Sequence, residues 1–217
     1  MYLLAPSVLR VASGDMPARV REHFGSELRR AGLFAQLCLL GARACLDATR
    51  GDGPLGVLWA SELGAQHATH AALDDALRRG EPAMPFTFIA TQPHLAGALL
   101  AQRSLPVART AHLHLAADAW PWLLRLAQGW LADCERVLVG WVEESRVGGV
   151  PYRSDWCMVQ NRRVTGAAHC DETQPGGASV AVTAEDWIKR LAAWRAAGRA
   201  PLALRGADAA WRFTAVK

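Results

Sequence analysis

The chain has 217 residues, 51% of them apolar and 20% charged, enough for one domain with a sizeable core and too apolar for a disordered chain. Of its 24 basic residues 22 are arginines, spread among 20 acidic ones for a net charge of +4, which argues against the one-sided basic face of a nucleic-acid binder. The longest apolar stretch, Leu33 to Leu46, is broken by Gln36, Gly41 and Arg43 and falls short of the roughly 20 residues of a membrane span.

No basic residue precedes the apolar opening MYLLAPSVLRVASG, and Pro6 and Arg10 interrupt it, so no secretory leader is expected and the reading is a cytoplasmic protein. Tyr2 to Ala12, bounded by the Gly14-Asp15 turn signal, predicts an opening strand. From Ser26 to about Thr49, Leu28, Phe34, Leu37, Cys38, Leu40, Ala44 and Cys45 follow helical spacing, which predicts a largely buried helix capped by the serine. LGVLWAS, after the Gly51-Asp52-Gly53-Pro54 break, suits a central parallel strand. A helix over about Leu63 to Arg79 ends at Gly80 and Pro82. The stretch EPAMPFTFIATQP reads as a loop, and an apolar loop needs another surface to cover it.

A short helix from about His94 to Gln102, a strand across VARTAHLHL, a helix from about Ala119 to Ala132 and a strand over Glu135 to Val142 follow. Strands and helices alternate, the pattern of a parallel sheet between helical layers. Past Glu144 the signals are sparser: possible strands at Trp156 to Asn161 and Ser179 to Val182, then a helix opened by Thr183-Ala-Glu-Asp186 with Trp187, Leu191 and Trp194 on one face. The five cysteines, Cys38, Cys45, Cys134, Cys157 and Cys170, lack paired close spacing, so reduced thiols are expected rather than disulfides or structural zinc.

Three stretches between Leu28 and Glu144 carry a family resemblance. LRRAGLFAQLCLLGARACL is similar to the first long helix in the N-terminal half of β-ketoacyl synthases, which have the thiolase fold, and GVLWASELG to the next strand and turn. PFTFIATQPHLAGALLAQRSLPVARTAHLHLAADAW with RVLVGWVEE resembles the loop, helix, strand, active-site turn and following strand in that family's order. The resemblance implies an α/β, three-layer α-β-α thiolase-like half with a mainly parallel mixed sheet. Residues 1–145 would form the ketosynthase-like half domain, and 146–217 a C-terminal extension packing on the same domain.

Two departures from the family bear on function. The position of the catalytic cysteine falls at or next to Ala116, so the nucleophile is absent. The family's catalytic histidines belong to a C-terminal half for which a chain ending at Lys217 leaves no room. Asp118 is placed to cap the following helix, with Pro121 tolerated in its first turn, so a carboxylate would fill the space of the oxyanion. Such shortened, cysteine-free halves resemble the chain-length-factor-like subunits of aryl-polyene and xanthomonadin-type pigment pathways.

That likeness implies a non-catalytic subunit, without cofactor, forming a heterodimer with a full-length ketosynthase and meeting acyl carrier protein through the complex. An edge strand carrying Thr110, His112 and His114 would join the partner's sheet, and Met84, Phe86, Phe88 and Ile89 would close the partner's acyl tunnel. The alternative is a stand-alone module that binds acyl chains or acyl carrier protein.

Other constellations are weaker. His67 with His70, a helical turn apart, and His112 with His114, on one strand face, could form a metal site, but no Asp, Glu or Cys joins them at ligand spacing, and packing or interface histidines are the simpler reading. A cysteine hydrolase would need a thiolate beside a histidine, and Cys170 next to His169 are chain neighbours, which seldom form such a pair. Trp120, Trp122 and Trp130 on one helix suggest core packing or an interface.

Overall fold

The computed structural model describes every residue except 26, 27, 29, 30, 50, 83, 104, 116–118, 146, 148, 175–178, 198, 199, 207, 208 and 217, and only the backbone of 184 and 185. Among the described residues one mixed sheet contains β1 (Tyr2–Val11), β2 (Leu55–Ser61), β3 (Val107–His114), β4 (Arg136–Glu143), β5 (Tyr152–Gln160), β6 (Ala168–Thr173), β7 (Val180–Ala181), β8 (Leu202–Arg205) and β9 (Ala210–Ala215). Their spatial order is β3-β2-β4-β5-β1-β6-β9-β8-β7. The helices are α1 (Met16–Phe24), α2 (Leu33–Ala48), α3 (Gln66–Asp74), α4 (Pro85–Ala90), α5 (Leu95–Ala101), α6 (Trp120–Trp130) and α7 (Ala184–Ala197).

Side chains of α1, α2 and α5 build a core on one sheet face, around Phe34, Leu37, Cys38, Trp59, Leu138 and Trp156. Those of α6 and α7 build a second on the other face, around Trp120, Leu123, Leu58, Val139, Trp187 and Phe213. The architecture is therefore the expected three-layer α/β sandwich. β2 is buried at every position and β4 at all but its last, which is why both read as unbroken apolar runs rather than alternating ones.

The expected predominance of parallel pairing holds only locally. β3-β2-β4 and β7-β8 pair in parallel, and every other neighbouring pair is antiparallel. Connection length explains it: a parallel return needs a crossover of about a dozen residues or more, and the link from β4 to β5 is too short, so the chain turns back as a hairpin.

The first helical segment also differs from the expectation. α2 begins at Leu33, after Gly32 in extended conformation, while the expected cap Ser26 lies outside the described residues. A Cβ on Gly32 would come within 2.8 Å of the Ala90 Cβ, so α4 closes against this turn. A separate helix, α1, follows a 3-10 turn at Ser13–Asp15 and buries Met16, Val20 and Phe24, a stripe spaced by four.

The stretch 81–93 is not irregular throughout: α4 starts at Pro85, whose missing N–H costs nothing in a first turn. α3 runs on through a π-helical turn, Asp75–Arg79, and stops at Gly80, whose φ of +66° is left-handed, as the sequence predicts. The later strands β6, β8 and β9 have no counterpart in the sequence reading.

Trp156 of β5 sits where α2 meets the sheet. A Cβ on Gly41 of α2 would lie 2.1 Å from Ser154 Oγ and 2.8 Å from Trp156 Cδ1, and one on Gly140 of β4 would lie 2.4 Å from Trp156 Cε3. Both glycines are therefore spaces that the indole and its neighbour fill. The Trp156 Nε1–H donates to Ser154 Oγ at 2.7 Å, fixing the ring. Next to it, the fully buried Asp155 accepts from Arg153 Nε at 2.7 Å, from Arg10 Nη2 at 3.1 Å and also from Arg10 Nη1, so its charge is compensated on both oxygens.

Candidate functional site

The three parallel strands β3, β2 and β4 end on the same side of the sheet, the position where open α/β sheets place ligands and catalytic groups. β2 ends at Ser61, β3 at His114 and β4 at Glu143. Ser61 is fully buried; its Oγ accepts the Gly64 N–H at 2.9 Å and lies 2.8 Å from His112 Nε2. His112 packs between Trp59 and Phe34, with ring centroids at 5.7 and 5.8 Å, and beside His114 at 4.8 Å and His94 at 6.2 Å. Burial, aided by the two neighbouring imidazoles, lowers its pKa from 6.5 to about 3, so His112 is neutral at any physiological pH.

At the end of β4 the Glu143 carboxylate accepts the N–H groups of Glu62 and Leu63 at 2.8 and 3.3 Å, closing the turn after β2. Burial still raises its pKa from 4.5 to about 7, against the lowering by those donors. Glu144 is buried, accepts the His67 N–H at 2.8 Å in the first turn of α3, and is likewise raised by burial. Its carbonyl accepts Gln66 Nε2 at 2.7 Å. The acids here hold turns and a helix start; they do not face each other as an acid–base pair.

The expected nucleophile position, Ala116, and the expected cap, Asp118, lie outside the described residues, in the connection between the end of β3 and the start of α6. That connection, residues 115–119, reads Leu-Ala-Ala-Asp-Ala and contains no thiol. Ala119 takes the N-cap position of α6 and brings no side-chain oxygen. All five cysteines are free and buried elsewhere: Cys38 and Cys45 in α2, Cys134 after α6, Cys157 in β5 and Cys170 in β6.

Burial pushes the Cys45 and Cys170 thiols up to about 12, the opposite of an activated nucleophile. His169 turns away from its neighbour Cys170, since successive strand residues face opposite sides, and pairs instead with Asp171, Nδ1 to Oδ2 at 3.0 Å.

Of the four histidines considered together, the structure unites only His112 and His114. His67 packs edge-on against Tyr152, 5.8 Å between centroids, and its Nε2 lies 3.3 Å from the Ser145 carbonyl, at the far side of β4. The third member of the imidazole group is His94, just before α5, which the sequence reading passed over, as it passed over Ser61, Glu143 and Glu144. Among the described residues no group of three or more His, Cys, Asp or Glu side chains is arranged to hold a metal ion.

Among the described residues β3 is the outermost strand, paired on one side only, with β2. The side chains of Thr110 and His112 lie on the face of the helical layer, Thr110 close to Gly97 of α5, and Thr110 and His114 are exposed while His112 is half-buried. The apolar side chains at the start of and along α4 are exposed: Met84, Phe86, Phe88 and Ile89 are 64, 56, 61 and 45% exposed. Leu73 and Leu77, also exposed, extend this surface along the adjoining α3 segment. Trp122 and Leu126 form a second exposed apolar pair on α6, whereas Trp120 is fully buried.

No family model matches the sequence, and no curated protein matches it. Solved structures do. A ketosynthase in complex with its chain length factor from Xenorhabdus doucetiae matches over 98% of both chains, with a TM-score of 0.64 and 12% identity. The ishigamide ketosynthase/chain length factor matches over 91% of this chain and 85% of that one, with a TM-score of 0.66 and 13% identity. A type II polyketide acyl-carrier protein in complex with its hexaketide-bound ketosynthase matches over 99% of both chains, with a TM-score of 0.67 and 9% identity. The fold is thus the thiolase-like fold of ketosynthase and chain-length-factor complexes, spanning nearly the whole of this chain.

Proposed function

We propose that this chain is a non-catalytic, ketosynthase-like subunit that pairs with a full ketosynthase and limits the length of the acyl chain that partner builds. The observation that carries the reading is the connection from β3 to α6: in a ketosynthase-like fold it holds no thiol, and every cysteine is buried elsewhere in the chain. The open edge of β3 supports pairing with a partner's sheet, because an unpaired strand edge is a template for strand addition. The exposed side chains of Met84, Phe86, Phe88 and Ile89 support insertion into an apolar tunnel, since an exposed apolar patch on a folded chain marks a contact surface.

In this reading acyl carrier protein is met through the complex, and the work is cytoplasmic, in an aryl-polyene or related pigment pathway. No helix among the described residues is long and apolar enough to cross a membrane. The test is co-expression with a full-length ketosynthase from the same genome. Stable co-elution with condensing activity in the complex, absent from the isolated chain, is the expected result. A monomer that ignores the ketosynthase and binds acylated carrier alone would instead establish a stand-alone binding module.

A further inference from the structure

A cavity of about 280 Å³ opens between the start of β6, the end of β9 and the last turn of α7. Backbone bonds hold these segments together: the Gly166 N–H donates to the Val216 carbonyl at 3.3 Å, and the Val216 N–H to the Ala167 carbonyl at 3.0 Å. Trp194 belongs to the lining, and its ring is fixed, because Nε1–H donates to the Ala200 carbonyl at 2.5 Å and the indole lies 6.5 Å from the Phe213 ring. The half-buried Arg195 is the one charged residue of the lining, with Nη2 3.8 Å from the place a Cβ on Gly166 would take. Among the described residues no hydrogen bond or ion pair joins the Arg195 side chain to another group. The sequence explains why. Segments 161–168, 191–200 and 212–216 together carry five arginines and no aspartate or glutamate, so no carboxylate stands three or four residues from Arg195 on its helix or on the strands beside it.

We propose that this cavity binds a small aromatic carboxylate. A half-buried guanidinium gives up part of its hydration, and with no counter-charge beside it a bound anion recovers what that burial costs. Burial lowers the pKa of Arg195 from its usual value, and it is the sole influence resolved on that group. One planar fork matches the two oxygens of a carboxylate. A phosphate would ask for further donors, and the remaining side chains, Ala167, Ala215, Val216 and a Trp194 whose N–H is already used, supply none. The same side chains select an apolar body, and the indole favours an aromatic one. The volume selects the size: at about 30 Å³ of liquid volume per water-sized unit, it holds about nine non-hydrogen atoms, the size of benzoate.

This inference is independent of the proposed function and is tested on the isolated full chain by calorimetric titration. Benzoate is expected to bind saturably at one site, at least about tenfold tighter than benzamide, which keeps the shape without the charge, or acetate, which keeps the charge without the ring. Arg195→Gln is expected to weaken benzoate about tenfold and leave benzamide unchanged. Arg78→Gln, which removes an exposed arginine from a different part of the chain, is expected to change neither. Ala215→Leu, which fills the cavity from its exposed rim, is expected to remove both ligands. Absence of saturable benzoate binding, benzoate no tighter than benzamide, or an equal loss from Arg195→Gln and Arg78→Gln overturns the assignment, even if Ala215→Leu fails to fold.

Discussion

His112 Nε2 stands 2.8 Å from Ser61 Oγ, so one side-chain pair ties the ends of β3 and β2 on the face covered by α2 and α5. The folded chain holds this imidazole near pKa 3 while an unfolded chain titrates near 6.5, so the unfolded state takes up the extra proton between those values. Stability should therefore fall as pH drops through 6.5 toward 3, by about 1–2 kcal/mol between pH 7 and 5 for this half-buried group. Urea unfolding at the two pH values checks it, with His112→Asn flattening the difference. An equal pH dependence in both proteins would remove His112 as its source.

Gly41→Ala sets two effects against each other. Propensity alone favours alanine in a helix by about 1 kcal/mol. The added methyl would meet Ser154 Oγ at 2.1 Å and Ser154 Cβ at 2.6 Å, inside the packed core. Overpacking should win, with a net destabilisation of about 1–3 kcal/mol by denaturant unfolding. A stabilised variant would mean that α2 can shift away from β5.

Asp155→Ala leaves Arg10 and Arg153 facing a buried vacancy of charge. Breaking a buried pair by removing one partner costs about 3–5 kcal/mol, far more than an exposed pair such as Arg43–Asp47 contributes. The comparison is direct: Asp47→Ala should move the unfolding midpoint little, and Asp155→Ala should move it strongly.

Phe86→Ala and Phe88→Ala should lengthen or broaden the products of the assembled complex. Both side chains are more than half exposed, so the stability of the isolated chain should change by no more than about 0.5 kcal/mol. Product profiling by mass spectrometry reads the outcome, and unchanged lengths from both variants would dismiss α4 as a tunnel element.

The thiols should be inert in the native chain. All five are buried, and burial raises the pKa of each. A thiol-reactive dye at pH 8 should label them in denaturant and leave them largely unlabelled in buffer. Rapid native labelling of Cys134 or Cys170 would reopen a cysteine-based activity.

The central sheet was legible because β2 and β4 are covered on both faces, and such strands must be apolar at every position. The imidazole group was half legible: His112 and His114 share a strand face, but His94 joins them only through the folding of α5 onto β3. The strands past residue 144 were obscured by composition. In β6, Ala-His-Cys-Asp-Glu-Thr shows no clean alternation, and its pairing is set by β9 and the start of β1 rather than by a pattern of its own. Helix α1 was missed because a nine-residue stripe of Met16, Val20 and Phe24 is scarcely longer than chance spacing.

β1 lies between β5 and β6, and β5 in turn separates it from β4. Strand β1 must therefore wait for segments made some 150 residues later, its partners running from Tyr152 to Gln160 and at Ala168 and His169. Such long-range closure makes for slow folding and a nascent chain with two open sheet edges, so a fragment released at residue 145 would emerge as a clinging intermediate rather than a smaller working protein.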